Sequence, residues 1–158
     1  MTVHVFAVDG RPGGYFHKLS RSTKHQLVAH SMEVFRRFRG GETDSITYLD
    51  LGALPDAKLQ SILRSLRRKR LDFALGIVDP EGAVQDPGEL FHRGACDYIA
   101  PSVTEVPIPT GRVEEAHAHF RSRSRQPSGA ASITAVSSAA AGEPAQEERQ
   151  PRSRWLEL

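Results

Sequence analysis

The chain has 158 residues, room for one domain of ordinary size, and its formal charge of +2 is too small for a dedicated polyelectrolyte binder. Its single cysteine, Cys96, excludes an internal disulfide framework, and no CxxC or CxxH spacing supplies a structural zinc site. The N-terminal apolar run is short and has no basic flank, and no stretch approaches the ~18 apolar residues of a membrane span; neither a signal peptide nor a membrane segment is expected, and a soluble cytoplasmic protein is.

Val3–Val8 (VHVFAV) is β-branched and aromatic and ends at Asp9-Gly10, which reads as a buried strand and a turn. Arg11–Gly14 (RPGG) is a loop, and Tyr15–Leu19 is either a short strand or a continuation of it. Thr23 is expected to start a helix with Leu27, Ser31, Val34, Phe35 and Phe38 on one face, widened by Val28 and Met32 and ended by Gly40-Gly41.

Ile46–Leu51 (ITYLDL) reads as the second clear strand. Pro55 and Asp56 open a helix with Leu59, Ile62, Leu63 and Leu66 as its apolar stripe and Arg67–Arg70 as a cationic last turn. Leu71–Val78 is a nearly continuous apolar run, as a strand covered on both faces would be. Asp79–Gly82 is a turn, and Asp86-Pro87-Gly88-Glu89 is a capping-box pattern ahead of a short helix closed by Gly94. Cys96–Ala100 is the last strand, and Pro101, Pro107 and Pro109 punctuate an extended connector. Thr110 caps a final helix with Val113, Ala116, His117 and Phe120 on one face. From Ser122 the residues are Ser, Ala, Arg, Gln, Glu and Pro without period, so residues 122–158 are expected to be a disordered linker or tail behind a folded domain of residues 1–121.

Strands alternating with helices imply a doubly wound, three-layer α/β domain with a mostly parallel sheet. Ligands in such sheets sit beyond the carboxyl ends of the strands, where Asp9, Asp50 and Asp79 all fall. Two readings of these aspartates are open. They could crowd at one rim and hold a hard divalent ion such as Mg²⁺, with Asp50 as a phospho-acceptor, or each could begin a turn, where Asp is favoured. The histidines show no i, i+4 metal pair. Cys96 reads as a small core residue. The arginine clusters, Arg36/Arg37/Arg39, Arg64/Arg67/Arg68/Lys69/Arg70 and Arg121/Arg123/Arg125, read as solvated helix ends; as a phosphate-backbone surface they lack an interleaved aromatic platform.

Ile46–Leu51 followed by Leu54-Pro55, together with Gly94-Ala95-Cys96-Asp97-Tyr98-Ile99, resembles the response-regulator receiver domain, a flavodoxin-like fold. The resemblance puts Asp50 at the phospho-acceptor position, Asp9 at a metal-binding position with Asp50, and Tyr98 at the switch aromatic. Departures accompany it: Gly10 follows Asp9 where an acidic pair is usual, Ala100 precedes Pro101 where the family has Lys, and Asp79 follows Val78 where the fourth strand would end in Ser or Thr. The resemblance therefore implies a pseudo-receiver without phosphotransfer.

The run from Gly76 to Ile99 is also similar to receiver-like N-terminal modules of spirochaete-type class III adenylate/guanylate cyclase proteins; the cyclase domain itself is not in this chain. On these resemblances the chain is a non-catalytic signalling module with no cofactor of its own, or with Mg²⁺ if it is an active receiver. Its partners would be another protein, an adjacent cyclase or kinase output domain, or a second copy in a homodimer, and no membrane; the alternative reading is a nucleic-acid-binding module using the Arg-rich helix ends. Tyr98, Val113 and Phe120, on the last strand and final helix, are the expected partner surface.

Overall fold

The computed structural model describes residues 1–68, 71–104 and 106–125. Five parallel strands form one sheet: β1 (Thr2–Ala7), β2 (Gln26–Ser31), β3 (Ser45–Asp50), β4 (Leu75–Val78) and β5 (Asp97–Ile99), in the order β2-β1-β3-β4-β5. That order, with crossovers on both faces, is the flavodoxin-like doubly wound arrangement.

Side chains alternate between the faces with period two, so the sheet carries two separate cores. On one face Phe6, Leu49, Leu75 and Ile77 meet helix α2 (Asp56–Arg68) through Leu59, Ile62, Leu63 and Leu66, helix α3 (Pro87–His92) through Leu90, and the 3₁₀ segment Met32–Arg37 through Met32. On the other face Val3, Val5, Ile46, Tyr48, Val78 and Ile99 meet Phe16, Leu19, Ile108, Val113 and Ala116. Phe16 and Leu19 belong to a 3₁₀ turn, Gly14–Phe16, that runs into α1 (His17–Ser20); Val113 and Ala116 belong to a long helix, α5 (Thr110–Arg125), that follows a single helical turn, α4 (Pro101–Thr104).

Several expected elements differ from the observed ones. The helix expected from Thr23 is instead β2 followed by the 3₁₀ segment Met32–Arg37. The apolar spacing of this stretch suits a helix, but β1 is buried and would leave one row of N–H and C=O groups unpaired. Gln26–Ser31 satisfies that row along its whole length, from Thr2 opposite Gln26 to Ala7 opposite Ser31. As an edge strand it buries none of its residues deeply, which hides the period-two signal. Tyr15–Leu19 is helical, not a strand. Sheet pairing after residue 70 begins only at Ala74, whose carbonyl accepts from Thr47 N (2.9 Å), so the strand is shorter than the apolar run that starts at Leu71. The extended connector from Pro101 contains α4. The short helix is capped by Asp86, which accepts from Glu89 N at 3.2 Å, but the capping box closes only halfway: the Glu89 carboxylate pairs with Arg67 of α2 at 2.9 Å. Helix α5 continues through Ser122–Arg125; the rest of the expected tail, like Lys69 and Arg70, lies outside the described residues. No helix among the described residues is long and apolar enough to cross a membrane.

Candidate functional site

Asp50 ends β3, a strand buried over all six of its residues, and is itself 3 % exposed. Its carboxylate is filled from within the chain. One oxygen accepts from Gly13 N at 2.9 Å; the other accepts from the Tyr15 hydroxyl in a short hydrogen bond and from Gly52 N at 3.1 Å. The loop that delivers these donors depends on glycine. A Cβ at Gly13 would lie 2.3 Å from the Tyr15 ring, so only glycine lets that ring swing back over Asp50. Burial, and then the bond to Asp50, raises the Tyr15 pKa well above its ordinary value and keeps the phenol a donor.

Asp79, one residue past β4, is fully buried and points to the opposite face. Asp50 lies beside Val78 in the parallel register, so Asp79 falls one residue out of phase with it. Its oxygens accept from Ala83 N and Val84 N, both at 2.9 Å, and from the Tyr98 hydroxyl at 2.8 Å. It organises the loop after β4 and anchors Tyr98, whose pKa is pushed up to about 12 by burial and then by this bond. Asp9 adopts a left-handed backbone (φ 54°), is exposed, and lines a cavity beside Met32 and Lys58. The three aspartates do not crowd at one rim: Asp50 and Asp79 point to opposite faces, and among the described residues no group of three or more His, Cys, Asp or Glu side chains is placed to hold a metal ion.

A further aspartate, Asp97, has a role that its local sequence does not mark. It begins β5 and accepts from the Tyr48 hydroxyl at 2.9 Å and from the Arg112 guanidinium at 2.8–3.2 Å, with Arg112 also donating to the Tyr98 carbonyl at 2.8 Å. All three tyrosines of the chain thus donate to buried aspartates: Tyr15 to Asp50, Tyr48 to Asp97 and Tyr98 to Asp79. The sequence signal for Tyr15 was the Gly13-Gly14 pair just before it; nothing local marked Arg112, which meets Asp97 only because α5 packs across β5.

The expected partner surface of Tyr98, Val113 and Phe120 requires correction. Val113 is fully buried, Phe120 is partly buried against the same core, and Tyr98, also partly buried, packs on the other face, so the three do not form one surface. The large apolar side chains exposed among the described residues are Val34, Phe91 and Val106.

A cavity lies away from Asp50, on the other face of the sheet. It holds about 670 Å³ between the 3₁₀ segment Met32–Arg37 and α2, adjoining a second of about 570 Å³. Phe35, Phe38 and Phe73 stand in its wall with Arg36, Arg39, Arg64 and Arg68 around them, so folding assembles beside these arginines an aromatic platform that is not interleaved with them in the sequence. Comparison of the chain with protein-family models, with curated proteins and with solved structures yields no match.

Proposed function

We propose that the chain is a non-catalytic regulatory module, a pseudo-receiver whose output passes by contact to a protein partner or to an adjacent cyclase or kinase output domain. The observation that carries this reading is the closed carboxylate of Asp50. A phospho-accepting aspartate must present a carboxylate oxygen to phosphorus and have the developing charge neutralised. Here both oxygens are engaged by Tyr15, Gly13 and Gly52, and Ala100 stands where a neutralising lysine would be wanted. The buried aspartates hold the fold and its rim loops in one conformation, which suits a docking scaffold.

Incubation with acetyl phosphate and Mg²⁺, followed by intact mass measurement, tests the reading. The expected result is an unmodified chain. A gain of one phosphoryl group that disappears in Asp50→Asn would overturn it and make the chain an active receiver.

A further inference from the structure

We infer that the cavity between Met32–Arg37 and α2 is a binding site for a nucleoside phosphate, with the base against the phenylalanine wall and the phosphates on the arginine rim. Its volume, about 670 Å³, is that of a small-molecule site. Phe35, Phe38 and Phe73 are only half-buried and pack on the core cluster behind them, with Phe38 and Phe73 edge to face at 5.8 Å, so the wall is aromatic and fixed. Such a surface stacks any nucleobase.

The charge is one-sided. Among the described residues, four arginines border the cavity against a single carboxylate, Asp72, and no acid pairs with any of the four. Arg36 donates to Ser61 at 2.7 Å across the groove, and most of its donors remain for an anion. The Arg64 and Arg68 side chains are exposed at the end of α2 and have no partner among the described residues. Guanidinium forks match phosphate oxygens in a bidentate manner. Asp72 adds an acceptor suited to ribose hydroxyls, which a bare polyphosphate does not have.

The neighbouring cavities are more mixed in charge: in one, Lys58 pairs with Glu33 at 3.5 Å and Asp9 adds a negative charge beside Arg36, and in the other, which shares Asp72 and Phe73, Glu42 stands with Arg121 and Arg125. A volume of about 670 Å³ suits one nucleotide, and binding of a nucleic-acid chain is an outcome of the test below. The site lies on the sheet face opposite Tyr15 and Asp50, and does not depend on whether Asp50 is silent.

Calorimetric titration of the full chain at low salt with ATP, adenosine, tripolyphosphate and a single-stranded oligonucleotide is the test. ATP is expected to bind more tightly than tripolyphosphate or adenosine. Arg64→Ala with Arg68→Ala should weaken it roughly tenfold or more, and Phe73→Leu should weaken ATP while leaving tripolyphosphate unchanged. Lys18→Ala with Arg21→Ala, exposed cations beside Leu19 on the opposite face of the sheet, should change nothing. Circular dichroism confirms that each variant folds. No ATP binding, equal binding of tripolyphosphate, tighter binding of the oligonucleotide, or indifference to the Arg64 and Arg68 changes each overturns the assignment.

Discussion

Replacing Arg112 by leucine should unlatch α5 from the sheet while keeping most of its apolar stem. The guanidinium reaches both Asp97 oxygens and the Tyr98 carbonyl, and the Asp97 bond raises its pKa. Without it, Asp97, whose side chain is 10 % exposed, keeps the Tyr48 hydroxyl as its one donor among the described residues. Removing one partner of a fully buried pair costs about 3–5 kcal/mol. The Arg112 side chain is 32 % exposed, so water reaches the vacated side and the expected cost falls to about 2–3 kcal/mol. For an ordered region of this size that is a drop in Tm of roughly 10 °C. Urea unfolding followed by circular dichroism measures it, with an unchanged m-value as the check that only stability moved. Asp97→Asn alone should cost less, because the orphaned arginine can turn to solvent. The double variant should fall short of the sum by about 1–2 kcal/mol. A cost below about 1 kcal/mol for Arg112→Leu, or a cycle with no coupling, would refute the latch.

Three further outcomes follow from other parts of the fold. Gly76→Ala places a Cβ 2.3 Å from the ring of Tyr48, which is fully buried and tethered to Asp97; the expected loss is about 2–3 kcal/mol, and a urea midpoint close to wild type would contradict the packing. Ala53 holds φ at 56° on the surface, so Ala53→Gly should stabilise by about 0.5–1 kcal/mol, and a loss of stability would show that the strain is absent. His4 Nδ1 lies 3.0 Å from His30 Nε2; burial and then the neighbouring His30 lower the His4 pKa from 6.5, and burial lowers that of His30. Both depressed groups bind protons more readily in the unfolded chain, so their contribution is intact above pH 6.5 and is lost as pH falls through the folded values. His30→Phe keeps the stack on Phe6 and should flatten stability against pH in that window; a profile identical to wild type would remove the pair as its cause.

The elements that were legible are those whose signal is local and strong. The apolar stripe of Leu59, Ile62, Leu63 and Leu66, the buried run into Val78 and the Asp86-Pro87 cap each appear close to where their residues imply. Asp50 was legible as a strand end for the same reason. Its donors were not, because Gly13 and Tyr15 lie 37 and 35 residues before it and no periodicity links them. Val113 was read as surface although it is core, since one apolar helix face suits either role until a sheet packs on it.

By itself the sequence determined the class of fold: alternating β and α elements, buried central strands and aspartates at their carboxyl ends follow from local propensity and pattern. Only the tertiary structure decided that Gln26–Ser31 is a strand, because that depends on the open edge of β1 and not on its own side chains. The same holds for the function of the carboxylates and the arginines. Period-two alternation sent Asp50 and Asp79 to opposite faces, donors distant in sequence closed each of them, and the crossing of α2 with the Met32–Arg37 segment gathered arginines and phenylalanines around one cavity. These are meetings of residues far apart in the chain, and a one-dimensional pattern carries no record of them.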